Sequence, residues 1–245
     1  MSIRNNIFVK LLLEGLSVIF PPICPLCRTP LTKGQRYICT SCRLDIPLTG
    51  YWQMSDNPMA ERVRNLRPEI EEASSLLFYI QNSTWRRLIH DMKYRDRWYH
   101  GRFLGEWLGR ELASSDLYSD IEVVVAVPLH PLRLLRRGYN QSDYIAQGVA
   151  KKMGVKHIKG AIKRTRSNSS QTKKRHHERW DNVEGLFRVT DPKLFEDRSV
   201  LLVDDVFTTG ATIMSCAEAI LDAAPSCRLS IATIAVSYHE FNASK

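Results

Sequence analysis

Residues 201–213 read LLVDDVFTTGATI. An apolar run meets two adjacent carboxylates, Asp204 and Asp205. A short turn carrying Thr208, Thr209, Gly210, Ala211 and Thr212 follows, and then a helical pattern. Free backbone N–H groups and the helix dipole at such a point favour a phosphate, and a glycine lets the backbone approach it closely. The carboxylates cannot bind the same anion, because like charges repel. They suit a group that donates hydrogen bonds, such as the vicinal hydroxyls of a ribose. Phosphate beside sugar hydroxyls describes a ribose 5-phosphate. A βα turn with a capping threonine and two solvated aspartates is the alternative that asks for no ligand.

A second block, PLHPLRLLRRGYNQS at 128–142, follows a β-branched run that ends at Val127. Arg133, Arg136 and Arg137 could meet pyrophosphate, since the guanidinium fork matches phosphate oxygens in pairs. Gly138 could supply the turn before the next helix. A solvated basic loop explains the same residues without a ligand.

Four of the six cysteines form one pattern: Cys24-Pro-Leu-Cys27 and Cys39-Thr-Ser-Cys42, eleven residues apart. Zinc takes four thiolates at tetrahedral corners about 2.3 Å away, and two C-x-x-C turns close such a site. The expectation is structural Zn²⁺ on Cys24, Cys27, Cys39 and Cys42, with disulfides or a redox pair as the alternative. A saturated thiolate site has no open position, so it would fold its segment and not catalyse. Cys216 and Cys227 stand apart and read as core thiols.

Lysine and arginine total 35 against 26 acids, a formal charge of +9 in 245 residues. Anionic partners are favoured. Between Lys159 and Arg179 there are eight lysines and arginines and one acid, Glu178. Lys173, Lys174, Arg175 and Arg179 in this run are the candidate nucleic-acid contacts. The paired His176 and His177, like His90 and His130, show no partner that would mark them as ligands. Trp85, Tyr94, Trp98 and Tyr99 lie among basic residues and could stack on bases, or pack in the core and at its boundary.

With 44% apolar residues the chain can build a core. Residues 1–20 read as a helix: Glu14 interrupts the apolar run and Pro21-Pro22 ends it, so a secretory signal is disfavoured. No stretch is long enough to span a membrane, and the protein is expected to be cytoplasmic. Residues 21–48 read as the four-cysteine module and 49–75, with Pro58 and Pro68, as a linker. From 76 to 245 strands alternate with helices: strands at 76–80, 121–127, 186–189, 199–203 and 228–236, and helices at 84–94, 102–113, 141–153 and 211–223. Alternation of this kind implies an α/β fold with a mostly parallel sheet.

The stretch VDDVFTTGAT resembles the phosphoribosyl-pyrophosphate (PRPP) signature of type I phosphoribosyltransferases. The order of a four-cysteine module, LIHDMKYR (88–95), RRGYNQS and VDDVFTTGAT resembles the ComF family of competence proteins over nearly the whole chain. That family also shows an arginine-to-glutamine segment followed by R-x-x-N, here Arg164, Gln171, Arg179 and Asn182. The resemblance implies a phosphoribosyltransferase-type sheet with a small zinc-ribbon-like module. It implies ribose contacts from Asp204 and Asp205, a 5-phosphate held by Phe207 through Thr212, and PRPP bound with Mg²⁺. Catalysis would rest on Asp204, Asp205 and Arg137, with the acceptor unidentified. It also implies a role in natural transformation, with single-stranded DNA and other DNA-uptake proteins as partners. An active phosphoribosyltransferase of nucleotide salvage is the alternative reading.

Overall fold

In the computed structural model, the described residues are 21–81, 83–94, 97–165 and 185–237. Two compact units are present, one ending at Ile46 and one starting at Pro47. The expected helix at 1–20 and the basic residues Lys173, Lys174, Arg175 and Arg179 lie outside the described residues. Among those described, no helix is long and apolar enough to cross a membrane.

The first unit is built from two turns. The Cys24 amide donates to Thr29 O at 2.8 Å, and the Arg28 amide to Cys24 O at 2.9 Å. This tight return needs a left-handed residue, and Arg28 supplies it with φ 69°. The second turn opens α1 (Thr40–Leu44), whose N-cap is Cys39.

The second unit holds a five-stranded sheet, every pair parallel: β1 (Ile70–Tyr79), β2 (Val123–Ala126), β3 (Lys156–His157), β6 (Ser199–Phe207) and β7 (Arg228–Ser237), in the order β1-β7-β6-β2-β3. Two more strands, β4 (Ile162–Arg164) and β5 (Phe187–Val189), form a separate antiparallel hairpin. Helices α2 (Pro58–Leu66), α3 (Thr84–Lys93), α4 (Trp98–Ala113), α5 (Pro131–Arg137), α6 (Gln141–Met153) and α7 (Ala211–Ala223) complete the unit. The α/β class and the parallel sheet expected from the sequence are both present. Buried side chains of α2, α7, β2, β6 and β7 form one core cluster with the hairpin's Ile162 and Phe187. Cys216 and Cys227 are buried, as core thiols should be.

Several expected boundaries are corrected. The segment 49–75 is not a linker. Asn57 Oδ1 accepts the amides of Met59 and Ala60, both at 3.0 Å, so Asn57-Pro58 starts α2 and does not interrupt the chain. Its Nδ2 donates to Ala73 O at 2.8 Å, tying that helix start to β1. Residues 47–49 run beside β1: the Phe78 amide donates to Pro47 O and the Thr49 amide to Leu76 O. They therefore belong to the second unit, not to the cysteine module. Strand β1 begins at Ile70 because, near the sheet edge, it tolerates Glu71 and Glu72. α5 occupies what read as a basic loop, and Gly138, at φ 77°, caps its C-terminus. Strand β6 continues through both aspartates to Phe207, leaving only residues 208–210 as the turn.

The connection from β2 through α6 leads outward to β3, whereas that from β6 through α7 leads the other way, to β7. Adjacent strands whose crossovers diverge leave a crevice at their carboxyl ends. The position of α6 above that crevice is set by glycine. A Cβ at Gly105 would lie 2.2 Å from Ile145 O, and one at Gly148 2.6 Å from Arg102 O and Glu106 N. Helices α4 and α6 therefore meet backbone to backbone. Gly105→Ala and Gly148→Ala should each cost about 3 kcal/mol or more and lower Tm by roughly 6–12 °C. Thermal denaturation of the two variants tests this, and a loss below about 2 °C in both would disprove the backbone contact.

Candidate functional site

A cavity of about 280 Å³ opens at the divergence of β2 and β6. The turn after β6 forms one wall. Gly210, at φ 85°, lies against the ring of Phe207; a Cβ there would come within 2.5 Å of Phe207 Cζ. The ring is itself buried and off the cavity wall. Phe207 thus supports the turn from below, and its side chain does not face a ligand. Thr208, Thr209, Gly210, Ala211 and Thr212 do line the cavity. Among the described residues, of the turn's amides only that of Ala211 meets an internal oxygen, Thr209 Oγ1 at a long 3.5 Å. The backbone donors at the start of α7 are left for something else.

Strand alternation sends the two carboxylates to opposite faces of β6. Asp205 turns toward α3 and α6. It is 5% exposed and receives Lys93 Nζ at 2.9 Å and Gln141 Nε2 at 3.0 Å. Asp204 accepts the Ser142 hydroxyl at 2.8 Å and the Asp205 amide at 2.8 Å. Burial, and next the charge of Asp205, push its pKa up to about 7. Burial opposes the charge on Lys93, yet the Asp205 carboxylate beside it leaves the ammonium raised above its ordinary value.

Gln141 and Ser142 arrive there through the cap of α6. Asn140 Oδ1 accepts the Ser142 amide at 3.3 Å, and Asn140 Nδ2 donates to Val127 O at 3.1 Å. One side chain thus starts the helix and ties it to the end of β2.

Arginines form the remaining wall. Arg133 and Arg137, one helical turn apart on α5, line the cavity; Arg136, about 100° round the helix from Arg137, points outward and is not part of it. Arg137 donates to Gln141 Oε1 at 3.1 Å, and its guanidinium carbon stands 5.2 Å from the centre of the Tyr94 ring. Arg164 reaches in from β4 over the Phe187 ring; burial, then the charge of Arg133, lower its pKa. The Nε atoms of Arg137 and Arg164 are buried without a hydrogen-bond partner among the described residues. Four cations therefore surround two carboxylates.

Lys93, Gln141 and Ser142 were not assigned roles from sequence. Each lies in a segment that stood out, LIHDMKYR or RRGYNQS, but only the packing of α3 and α6 shows which side chain turns inward. The histidines described hold no such place: His130 Nδ1 accepts the Leu132 amide at 3.3 Å, and His90 is exposed against Tyr94. Trp85 is core, packed edge-on to Trp107, whereas Tyr94, Trp98 and Tyr99 keep 40%, 38% and 45% of their surface exposed.

In the first unit the sulfurs of Cys24, Cys27, Cys39 and Cys42 lie within 4.8 Å of one another and are placed to hold one metal ion. Hydrogen bonding with Thr29 draws the Cys27 thiol down to about 6, while burial and the neighbouring thiols push Cys42 up.

No protein-family model matches the chain. It is 28% identical over 211 residues to the DNA utilization protein YhgH of Escherichia coli strain K12, covering 82% of this chain and 91% of that protein. It is 26% identical over 200 residues to Competence protein F of Haemophilus influenzae, covering 78% and 86%. The resemblance to ComF competence proteins thus extends well beyond the motifs that first carried it. Among solved structures, a glutamine PRPP amidotransferase from B. subtilis aligns with TM-score 0.37 and 19% identity, over 54% of this chain and 26% of that one. A hypoxanthine phosphoribosyltransferase from Staphylococcus aureus aligns with TM-score 0.34 and 13% identity, over 65% and 74%.

The raised Asp204 has a measurable consequence. Between the ordinary aspartate value of 3.8 and about 7, the folded chain holds a proton there that the unfolded chain has released. This contribution to stability is full below the lower value and fades as pH rises through the upper one. Asp204→Asn should therefore remove a decline in Tm between about pH 4 and 7, so that the variant gains on the parent protein as pH rises. Parallel Tm–pH profiles for the two proteins would count against the assignment.

Proposed function

We propose that the β2–β6 cavity binds PRPP or a closely related phosphoribosyl ligand, and that the chain acts in the handling of single-stranded DNA during natural transformation. The observation that carries the ligand is the meeting, in one 280 Å³ cavity, of unpaired turn amides, two carboxylates and four cations. Residues 208–212 would take the 5-phosphate. The ribose hydroxyls would donate to Asp204 and Asp205 in place of the internal donors that hold them now. Arg133, Arg137 and Arg164 would face the pyrophosphate; the unpartnered Nε atoms of the last two suit a bidentate anion.

Mg²⁺ fits this set only in company with the ligand. Lys93 already neutralises Asp205, and Mg²⁺ is held mainly by water and phosphate oxygens with one or two carboxylates. When bound it would neutralise charge on pyrophosphate. A second reading, transfer of phosphoribose to an acceptor, is favoured by a further cavity that adjoins the first. In that reaction the bond from C1 to the pyrophosphate oxygen breaks and its electron pair leaves with pyrophosphate. The arginines would stabilise that leaving charge, and the carboxylates would favour positive charge developing on the sugar.

For the metal of the first unit we propose Zn²⁺. A tetrahedron with 2.3 Å metal–sulfur bonds requires sulfurs about 3.8 Å apart. Cys27 and Cys39 Sγ stand 3.5 Å apart, inside a cluster spanning 4.8 Å. The DNA reading draws on the names of the relatives, the +9 charge and the exposed aromatics Tyr94, Trp98 and Tyr99. Aromatic faces beside basic residues suit unpaired bases on a charged backbone. A cytoplasmic setting and contact with other DNA-uptake proteins belong to the same reading.

PRPP with Mg²⁺ at a hundred times its dissociation constant should stabilise the chain by about 2.7 kcal/mol, or roughly 5–10 °C in Tm, and Asp205→Ala should abolish that shift. Absence of any shift with PRPP would remove the ligand assignment. Single-stranded DNA should bind with strong salt dependence, weakened by replacing Lys173, Lys174 and Arg175 with glutamine. Fluorescence anisotropy across a salt series measures this, and unchanged affinity would clear those residues of the role. Purified protein should carry about one zinc per chain, lost in Cys39→Ser. Elemental analysis that finds no zinc in the parent protein would refute the metal.

A further inference from the structure

Helix α2 lines no part of the β2–β6 cavity, yet it reaches the turn after β6 from outside that cavity. Met59 and Val63 of α2 share the core cluster with Ile213 and Ala217 of α7. Arg67, the C-cap of α2, pairs with Glu218, about two turns into α7. Alongside these contacts, Arg62 Nη2 donates to Thr209 O at 3.4 Å. Arg62 is half-buried and lies 147 residues from Thr209 in sequence. It belongs to the segment that read as a linker.

The bond falls on a peptide that has a choice of orientation. The Phe207 ring leaves no room for a Cβ at position 210, so glycine must stand there. Glycine takes either sign of φ with similar ease, so the peptide between Thr209 and Gly210 is free to turn over. In a trans peptide the carbonyl and the following N–H point in opposite directions. With Thr209 O drawn outward to Arg62, the Gly210 N–H is directed to the cavity side. Among the described residues it meets no internal acceptor there. Turned over, the same peptide would present its carbonyl oxygen to the cavity, and that oxygen repels an anion. We propose that Arg62 is a positioning residue for phosphate. From outside the cavity it holds the Thr209 carbonyl away, so that the Gly210 amide faces the ligand. The guanidinium charge attracts the negative end of the peptide dipole and so favours the same orientation. The inference rests on the reading of residues 208–212 as the 5-phosphate cradle, and it makes α2 part of what shapes that cradle.

Calorimetric titration of the full chain tests this with two probes, ribose 5-phosphate and Mg²⁺-pyrophosphate. The first draws on the turn, the second on the arginines of α5 and β4. Arg62→Ala should weaken ribose 5-phosphate about fivefold to tenfold and leave Mg²⁺-pyrophosphate within about twofold. Arg62→Lys, which can still donate to the carbonyl, should recover most of the loss. A general loosening of the fold would weaken both probes alike, and lysine would not mend it. Arg62→Gln takes the place of the alanine variant if that one does not fold. A second readout is the amide resonance of Gly210 in protein carrying isotope-labelled glycine. Ribose 5-phosphate should move it downfield in the parent protein and by clearly less in Arg62→Ala. Undiminished binding of ribose 5-phosphate in Arg62→Ala overturns the role of Arg62 and leaves the cradle standing. Equal losses for both probes overturn that role as well. If the parent protein binds neither ribose 5-phosphate nor PRPP, the phosphoribosyl reading falls and takes this inference with it.

Discussion

The functional geometry depends on two helices touching backbone to backbone. Helix α4 offers Gly105 and α6 answers with Gly148, each facing only backbone atoms of the other helix, and Gly109 adds a close approach to the Val149 backbone. At Gly105 and Gly148 no side chain intervenes, so the separation of the two axes has little freedom. The first turn of α6 carries Gln141 and Ser142, and they reach Asp205 and Asp204 only if that helix lies where α4 holds it. The Asn140 cap fixes the same turn to the end of β2. Register at the glycine contact and hydrogen bonding at the carboxylates are thus two ends of one rigid element.

That rigidity answers an electrostatic difficulty. Two adjacent carboxylates at the edge of a core repel one another and lose solvation. The strand separates them by sending each to a different face, and the surroundings treat them differently. Asp205 is neutralised by Lys93, while Asp204 has only neutral donors and is held toward its protonated form. Arg133, Arg137 and Arg164 stand on the same wall with no ion pair to a carboxylate among the described residues, although Arg137 donates to Gln141 Oε1.

The two units use different physics. The larger one buries β-branched strands between helices. In the smaller one the described residues are too few for a comparable core, and four sulfurs meeting within 4.8 Å supply the organising point. A metal held by all four thiolates would act on folding, with no free coordination position for chemistry. The exposed aromatics at the start of α4 and the arginines of α5 lie on the larger unit, so its surface is more than a cover for its core.

Much of this was legible in the residues themselves. Spacing alone paired the cysteines. The apolar run of β2, the period of α6 and the turn before α7 placed the sheet and its phosphate-type end, because local patterns carry strand and helix identity. Where the reading failed, a residue had two meanings that only its neighbours resolve. Pro58 marks a break in isolation and a helix start once Asn57 caps it. Asp204 and Asp205 look like the end of a strand, yet pairing with β7 carries β6 past them. Phe207 and Arg136 sit inside motifs that line the cavity, but the pleat turns one beneath the loop and the helix turns the other to solvent. Lys93, Ser142 and Arg164 joined the site from segments up to 112 residues distant in sequence from Asp205. The sequence by itself determined which elements form and which chemistry their ends could carry, since these follow from local periodicity and residue type. Which side chains share one cavity was decided by tertiary structure, because strand order and helix packing bring together groups that no local pattern connects.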